Sequence, residues 1–137
     1  HDRLVGKLAE LAVNTATAKV SMTFIDGMIK GILCNFLVCV AIWMSFATEE
    51  INGKIPVLYL PVAIFVICGF EHSVANMYFI PAGLIAKYVY NLPAEGLTLL
   101  NYFWKNLLPV TVGNIIGGSI IVGAGYWLVF LRPQDED

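Results

Sequence analysis

The feature that most constrains this chain is a run of 32 residues, Ile55 to Ala86, in which Glu71 is the only charged residue and His72 the only histidine. A carboxylate or an imidazole set among Val, Ile, Phe and Leu carries a large desolvation cost. Membrane proteins tolerate that cost mainly on a path for a substrate or for protons. The Glu71-His72 pair is therefore predicted to mark the functional site.

The length of this run predicts an interrupted helix. One continuous helix of 32 residues would be about 48 Å long at ~1.5 Å per residue, whereas a hydrocarbon core is about 30 Å thick and two full spans need about 40 residues and a turn. We place the break around Cys68-Gly69-Phe70, because glycine costs a helix about 1 kcal/mol relative to alanine. Broken helices at membrane depth are typical of transport sites. A second half beginning near residues 71–73 puts His72 at its positive end.

The composition predicts an integral membrane protein. Of 137 residues, 58% are hydrophobic and only 13% are charged, whereas soluble domains carry about 25% charged residues. A net charge of -2 without a basic cluster offers nucleic acid no electrostatic hold. The three cysteines lie in apolar runs and are interpreted as packed free thiols. No metal site and no cofactor is predicted.

We predict an all-α membrane protein with three transmembrane segments, the middle one a broken helix. The division is a polar, amphipathic lead-in helix (1–23), a first segment (24–47), the broken segment (55–86), a loop (87–105), a last segment (106–131) and a polar tail (132–137). In the lead-in helix, apolar residues recur at helical spacing: Leu4, Leu8, Leu11, Ala12 and Ala16. Its polar and charged residues make it too polar to cross a bilayer, so we predict an interfacial helix or one at the edge of the lumen. No secretory pattern precedes the first segment, so we expect an internal or processed piece of a longer protein.

Three polar residues stand isolated in apolar surroundings, and for Lys19 and Asn35 the pattern alone leaves two interpretations open. Lys19 fits a lysine that extends its amine to the membrane surface, or a functional cation. Asn35 fits an amide that joins packed helices, or a pore residue. Asn114 shares a helical face with Gly117 and Gly118, which places an amide on a closely packed wall.

Four stretches together carry a family resemblance: Gly31 to Asn35, Gly69 to Met77 (GFEHSVANM), Ile80-Pro81 and Pro109 to Gly118. They resemble the formate/nitrite transporter family, and most of all its bacterial formate channels, over essentially the whole chain after Leu8. The run FEHSVANM is the most specific of these motifs.

The resemblance implies a known architecture. The family has six membrane segments in two inverted repeats with an aquaporin-like fold, breaks the second and fifth segments, and assembles as a pentamer with one pore in each protomer. The chain resembles the second repeat alone, which leaves the N-terminal repeat missing. A multi-pass protein of the bacterial inner (cytoplasmic) membrane is implied.

The resemblance also assigns roles to matching residues. His72 corresponds to the central pore histidine with Glu71 as its neighbour, Phe65 to the aromatic that narrows the pore, Asn35 and Asn114 to the amides that flank its centre, and Lys19 to the lysine that supplies positive field. The expected function is passage of formate or a similar monovalent anion, without catalytic residues. His72 is expected either to lend the anion a proton or to bias a gate.

Two rival functions stay open at this point. A membrane redox or enzyme subunit using Glu71 and His72 is disfavoured, because one histidine within a span does not give bis-histidine haem ligation and no metal or nucleophile motif occurs. A structural membrane fragment without its own activity is the other. The choice among formate, nitrite, hydrosulfide, acetate and lactate also stays open.

Overall fold

A computed structural model describes residues 2–132 of the chain. The described residues form five helices, α1 (Asp2–Val20), α2 (Phe24–Ser45), α3 (Ile51–Ile67), α4 (Ser73–Val89) and α5 (Leu99–Leu131). The predicted all-α class is confirmed. The predicted polar tail lies outside the described residues from position 133 onward.

Two of the helices are long and apolar enough to cross a membrane. These are α2, with 22 residues, and α5, with 33 residues; α3 is apolar but shorter, at 17 residues. Parts of α5 have the wider turns of a π-helix, Tyr102–Leu107, Ile116–Ala124 and Trp127–Leu131.

Glycines allow α2 and α5 to pack backbone against backbone. A Cβ added at Gly31 would lie 2.7 Å from the carbonyl oxygen of Val110. One added at Gly113 would overlap the carbonyl oxygen of Met28. Helices of membrane proteins associate through such small residues, because close backbone approach replaces the hydrophobic effect that lipid cannot supply.

One face of α1 packs against α4 and the start of α5. The buried side chains facing α4 and the α5 start are small or branched, Ala9, Val13, Ala16 and Val20, whereas Leu4, Leu8 and Leu11 are more than half exposed. The reason is the closeness of α4. A Cβ at Gly83 of that helix would overlap the Ala16 side chain, so the interface has no room for leucine.

Between α3 and α4 the backbone leaves helical geometry over residues 68–72. Gly69 has φ +65°, a left-handed conformation that glycine adopts without steric cost. The Phe70 amide donates to the Phe65 carbonyl oxygen at 2.9 Å, and the Glu71 amide donates to that of Lys30 on α2 at 3.3 Å. Protein groups therefore satisfy the backbone where the helix is absent.

The loop predicted at 87–105 is wrong in its bounds and spans only residues 90–98. Its predicted limits were the charged residues, but Lys87 stays helical and its Nζ donates to the carbonyl oxygens of Ala94 (2.9 Å) and Leu97 (3.0 Å). Thr98 then caps the next helix by accepting from the Asn101 amide at 3.2 Å. The last helix consequently begins before the predicted residue 106.

The glycine contact between α2 and α5 gives a stability test with a control on the same helix. Gly113→Ala is expected to destabilise the fold by about 1–3 kcal/mol, because the added methyl group forces two backbones apart. Gly125→Ala is the control, since a Cβ there meets nothing within 4 Å. Thermal unfolding of the two variants of the full-length protein in detergent measures the difference; equal midpoints would contradict the packing.

Candidate functional site

The carboxylate of Glu71 lies at the centre of a buried polar cluster. Only 5% of the Glu71 residue is exposed, and its two oxygens lie 2.9 and 3.0 Å from Nζ of Lys19, at the end of α1. Two charges removed from water need close pairing and additional hydrogen bonds to offset their desolvation.

Two buried amides supply those hydrogen bonds. Nδ2 of Asn76 on α4 donates to Glu71 Oε2 at 2.6 Å and to Oδ1 of Asn106 on α5 at 2.8 Å. Nδ2 of Asn106 donates to the backbone carbonyl oxygen of Lys19 at 3.0 Å and approaches Glu71 Oε2 at 3.4 Å. Lys19, Glu71, Asn76 and Asn106, hereafter the Glu71 cluster, join α1, α4, α5 and residues 68–72 at one point.

One buried polar atom of the cluster has no hydrogen-bond partner among the described residues. Oδ1 of Asn76 is buried and has no hydrogen-bond partner there. Both donor hydrogens of this amide are directed to the cluster, so its orientation follows the carboxylate rather than its own oxygen.

Asn114 on α5 holds the start of α4 in place. Its Nδ2 donates to the carbonyl oxygens of Gly31 (2.8 Å) and Glu71 (3.0 Å), and its Oδ1 accepts from the amide (2.9 Å) and hydroxyl (2.8 Å) of Ser73. These four bonds use the full capacity of the side-chain amide. Asn35 supports the same place, because its Nδ2 donates to the backbone carbonyl oxygen of Asn114 at 2.7 Å.

His72 lies beside the Glu71 cluster: its backbone carbonyl oxygen accepts from the backbone amide of Asn76 at 2.9 Å, whereas its imidazole makes no hydrogen bond to the cluster. It is the N-cap residue of α4, with extended backbone, and its Nδ1 accepts from the amide of Val74 at 3.2 Å. The imidazole is partly exposed. The ring of Phe65, on α3, lies across from it with a centroid separation of 6.1 Å. The two consecutive residues therefore differ in exposure: Glu71 is buried within the protein, whereas His72 is partly exposed.

The structure thus brings all six sequence-predicted residues into one region. Lys19 pairs with Glu71, Asn114 binds the Glu71 backbone, Asn35 binds Asn114, and Phe65 lies next to His72. Sequence reasoning missed Ser73, Asn76 and Asn106 as site residues. The available signal was their polarity, because amides within apolar helices are costly unless each one has a partner.

Residues of the types that bind metal ions are not clustered within the described part of the chain. Among residues 2–132 no group of three or more His, Cys, Asp or Glu side chains is placed to hold a metal ion. The cysteines of that range are free thiols, with Cys34 buried and Cys68 exposed.

Comparison with known sequences gives the family. The sequence model described as formate/nitrite transporter matches residues 2–128. The formate channel FocA of Escherichia coli (strain K12) is 43% identical over 135 residues, which cover 90% of this chain and 47% of that protein. A probable formate transporter of Methanothermobacter thermautotrophicus is 42% identical over 112 residues, covering 82% of this chain and 38% of the relative.

Solved structures agree with the sequence comparison. A structure described as a pentameric formate channel with formate bound has a TM-score of 0.82 and 38% identity, covering 91% of this chain and 53% of that one. An ion channel of the FNT family has a TM-score of 0.74 and 36% identity, covering 86% and 45%.

These relatives are channels and transporters, in agreement with the prediction that the chain is not an enzyme. The chain spans about half the length of the curated relatives it matches. A family match over nearly the whole chain, with relatives above 40% identity and the same helical fold, shows that this chain belongs to the formate/nitrite transporter family of membrane proteins.

Proposed function

We propose that this chain forms part of the wall of a membrane channel that passes formate or a similar small monovalent anion, with His72 at the centre of the path. The main support for this proposal is the difference in burial between two adjacent residues, Glu71 and His72. The Glu71 carboxylate is neutralised inside the wall at 2.9 Å from Lys19, while the imidazole of His72 stays partly exposed. A negative side chain kept out of the path is what an anion channel requires.

The proposed architecture has three membrane segments, 24–47, 55–86 and 106–131. We take α3, residues 68–72 and α4 as one interrupted segment, because each of the two helices has 17 residues and a spanning helix needs about 20. The interruption then lies inside the membrane, where protein must satisfy the free backbone. The contacts of Phe70, Glu71 and Ser73 with Phe65, Lys30 and Asn114 do this.

The complete path is proposed to need more than these helices. The relatives are about twice as long as this chain, which supports an N-terminal repeat of the same kind as the opposite wall. The solved relative described as pentameric supports a homopentamer. The bacterial inner membrane is proposed as its location, because the matched family is one of transporters and a matched relative is a bacterial formate channel. Formate is the favoured substrate, because the relatives' names and the described bound ligand specify it.

Electrostatics support His72 as the residue that meets the anion. An anion entering an apolar passage loses its hydration, at high cost unless donors replace the water. The N-terminal end of α4 offers a partial positive charge. Its first two amides are already engaged, however, since Ser73 donates to Asn114 Oδ1 and Val74 donates to His72 Nδ1. In this proposal the imidazole is the side-chain polar group at that end of α4 that faces the path.

The other predicted residues have supporting roles in this proposal. Phe65, across from His72, narrows the passage and keeps water out. Asn35 and Asn114 hold α2, α5 and the start of α4 together, because their donors bind backbone oxygens. Lys19 contributes positive field only in combination with Glu71, as the positive end of an ion pair.

Replacing the imidazole tests the path directly. In the full-length protein reconstituted in liposomes, His72→Phe is expected to lower formate flux by about 10-fold to 100-fold, the equivalent of one lost hydrogen bond to a charged group. Val89→Phe, which adds the same ring at an exposed position of α4, is the control and should retain flux. Flux that survives His72→Phe would exclude His72 from the path.

The ion pair is tested by charge removal. Lys19→Met is expected to destabilise the protein by about 3–5 kcal/mol, because it leaves the buried charge of Glu71 without its partner. Glu71→Gln should cost less, because the side chain of Lys19 that remains is 18% exposed. The double variant should be more stable than the sum of the two losses predicts. Lys7→Met, the same change at an exposed position of α1, is the control. Additive losses in thermal unfolding would show that the two charges do not interact.

A further inference from the structure

The imidazole of His72 also has a structural task, because it caps α4. The residue has the extended backbone of an N-cap, φ -110° and ψ 116°, and its Nδ1 accepts the hydrogen bond of the Val74 amide at 3.2 Å. Caps are usually Ser, Thr, Asp or Asn, whose side-chain oxygens always carry a free lone pair. A histidine nitrogen can do the same only when it carries no proton.

We infer that this cap fixes His72 as the neutral tautomer with its proton on Nε2, so that the ring meets an anion as a hydrogen-bond donor and has no proton to lend while the cap persists. The inference rests on the proposed function for the presence of the anion, but the tautomer itself follows from the contact with Val74. Of the two roles that the sequence leaves open for the ring, it excludes proton lending for as long as the cap persists.

The tautomer determines what the ring can exchange. Loss of the Nε2 proton from a neutral ring would leave an imidazolate, so only the doubly protonated ring can give a proton to a weak acid's anion. The second proton has to bind Nδ1. There it would face the Val74 N–H, which places two donors against each other, so proton uptake and loss of the cap are a single event.

The charged groups around the ring do not favour the binding of a second proton at Nδ1. Glu71 precedes His72, but its carboxylate binds Lys19 of α1 and Asn76. From α2, Lys30 contacts Glu71 through its backbone carbonyl oxygen while its ammonium group lies 3.8 Å from the sulfur of Met22, and Cys34 is buried as a free thiol. From α3 the ring contact is Phe65, which is uncharged. Within the described residues, the surroundings favour the neutral ring.

Val74 provides the means of testing the cap without changing the imidazole. Its side chain is 65% exposed, so Val74→Ala removes little packing and keeps the N–H. Val74→Pro removes the N–H and places proline in the first turn, where a helix tolerates it. The pair of variants therefore differs in the one hydrogen bond that the inference concerns.

The measurement is nitrogen NMR of the full-length protein in lipid bilayers with 15N-labelled histidine, the His72 signals being identified by their loss in His72→Gln. The wild type and Val74→Ala should show an unprotonated Nδ1 and a protonated Nε2. In Val74→Pro the Nδ1-protonated tautomer should appear, with the tautomer ratio shifted about fivefold or more, as expected for one lost cap bond.

A protonated Nδ1 in the wild type would overturn the inference, even if Val74→Pro does not fold. An unchanged tautomer ratio in a folded Val74→Pro protein would also overturn it. Failure of the proposed function is visible separately, because it is measured as formate flux that persists in His72→Phe. If flux is lost in His72→Phe and Nδ1 of the wild type is protonated, the proposed channel function is supported and only the inferred tautomer is wrong.

Discussion

The buried carboxylate of Glu71 is the constraint on which the rest of the structure depends. A negative charge that is 5% exposed destabilises any fold that does not surround it with donors. Here the donors come from Lys19 and Asn76, with Asn106 completing the group, and they lie on three different helices. Satisfying one side chain therefore fixes how α1, α4 and α5 meet. It also fixes the direction of the next residue, His72.

The non-helical residues 68–72 connect this constraint to function. A continuous helix would bury its own backbone groups and leave nothing for Asn114 to bind. Because the helix ends at Ile67, Asn114 can hold the Glu71 carbonyl and the Ser73 amide and hydroxyl together. The arrangement gives α4 a rigid start within the protein, with an imidazole as its cap. Anion passage, as proposed, uses a polar ring that is already positioned before the anion arrives.

Local chemistry made much of the site predictable, whereas long-range geometry did not. The desolvation cost of Glu71 and His72 and the family motif identified the region, and Gly69, with φ +65°, lies where the interruption is expected. The membrane depth of that interval stays a prediction. The pairing of Lys19 with Glu71 joins residues 52 positions apart, and no periodicity reports such a contact. Hydrophobic spacing does not report which face of α1 packs on the protein, because the close contact with Gly83 of α4 requires small residues there, while the leucines stay exposed. The predicted loop began too early because the charged Lys87 was taken as the end of a helix. Lys87 is in fact helical, and its ammonium group binds carbonyl oxygens of the loop that follows.

In the proposed path the wall neutralises Glu71, and His72 is the residue that meets the anion. Dipolar-coupling NMR between 13C-labelled formate and the 15N-labelled ring of His72, in the full-length protein in bilayers, measures whether the two touch. We expect a contact within about 4 Å, the range of a hydrogen-bonded carboxylate, and a stronger coupling to Nε2 than to Nδ1. Formate that shows no coupling to the ring under conditions of measurable flux would contradict the proposed path.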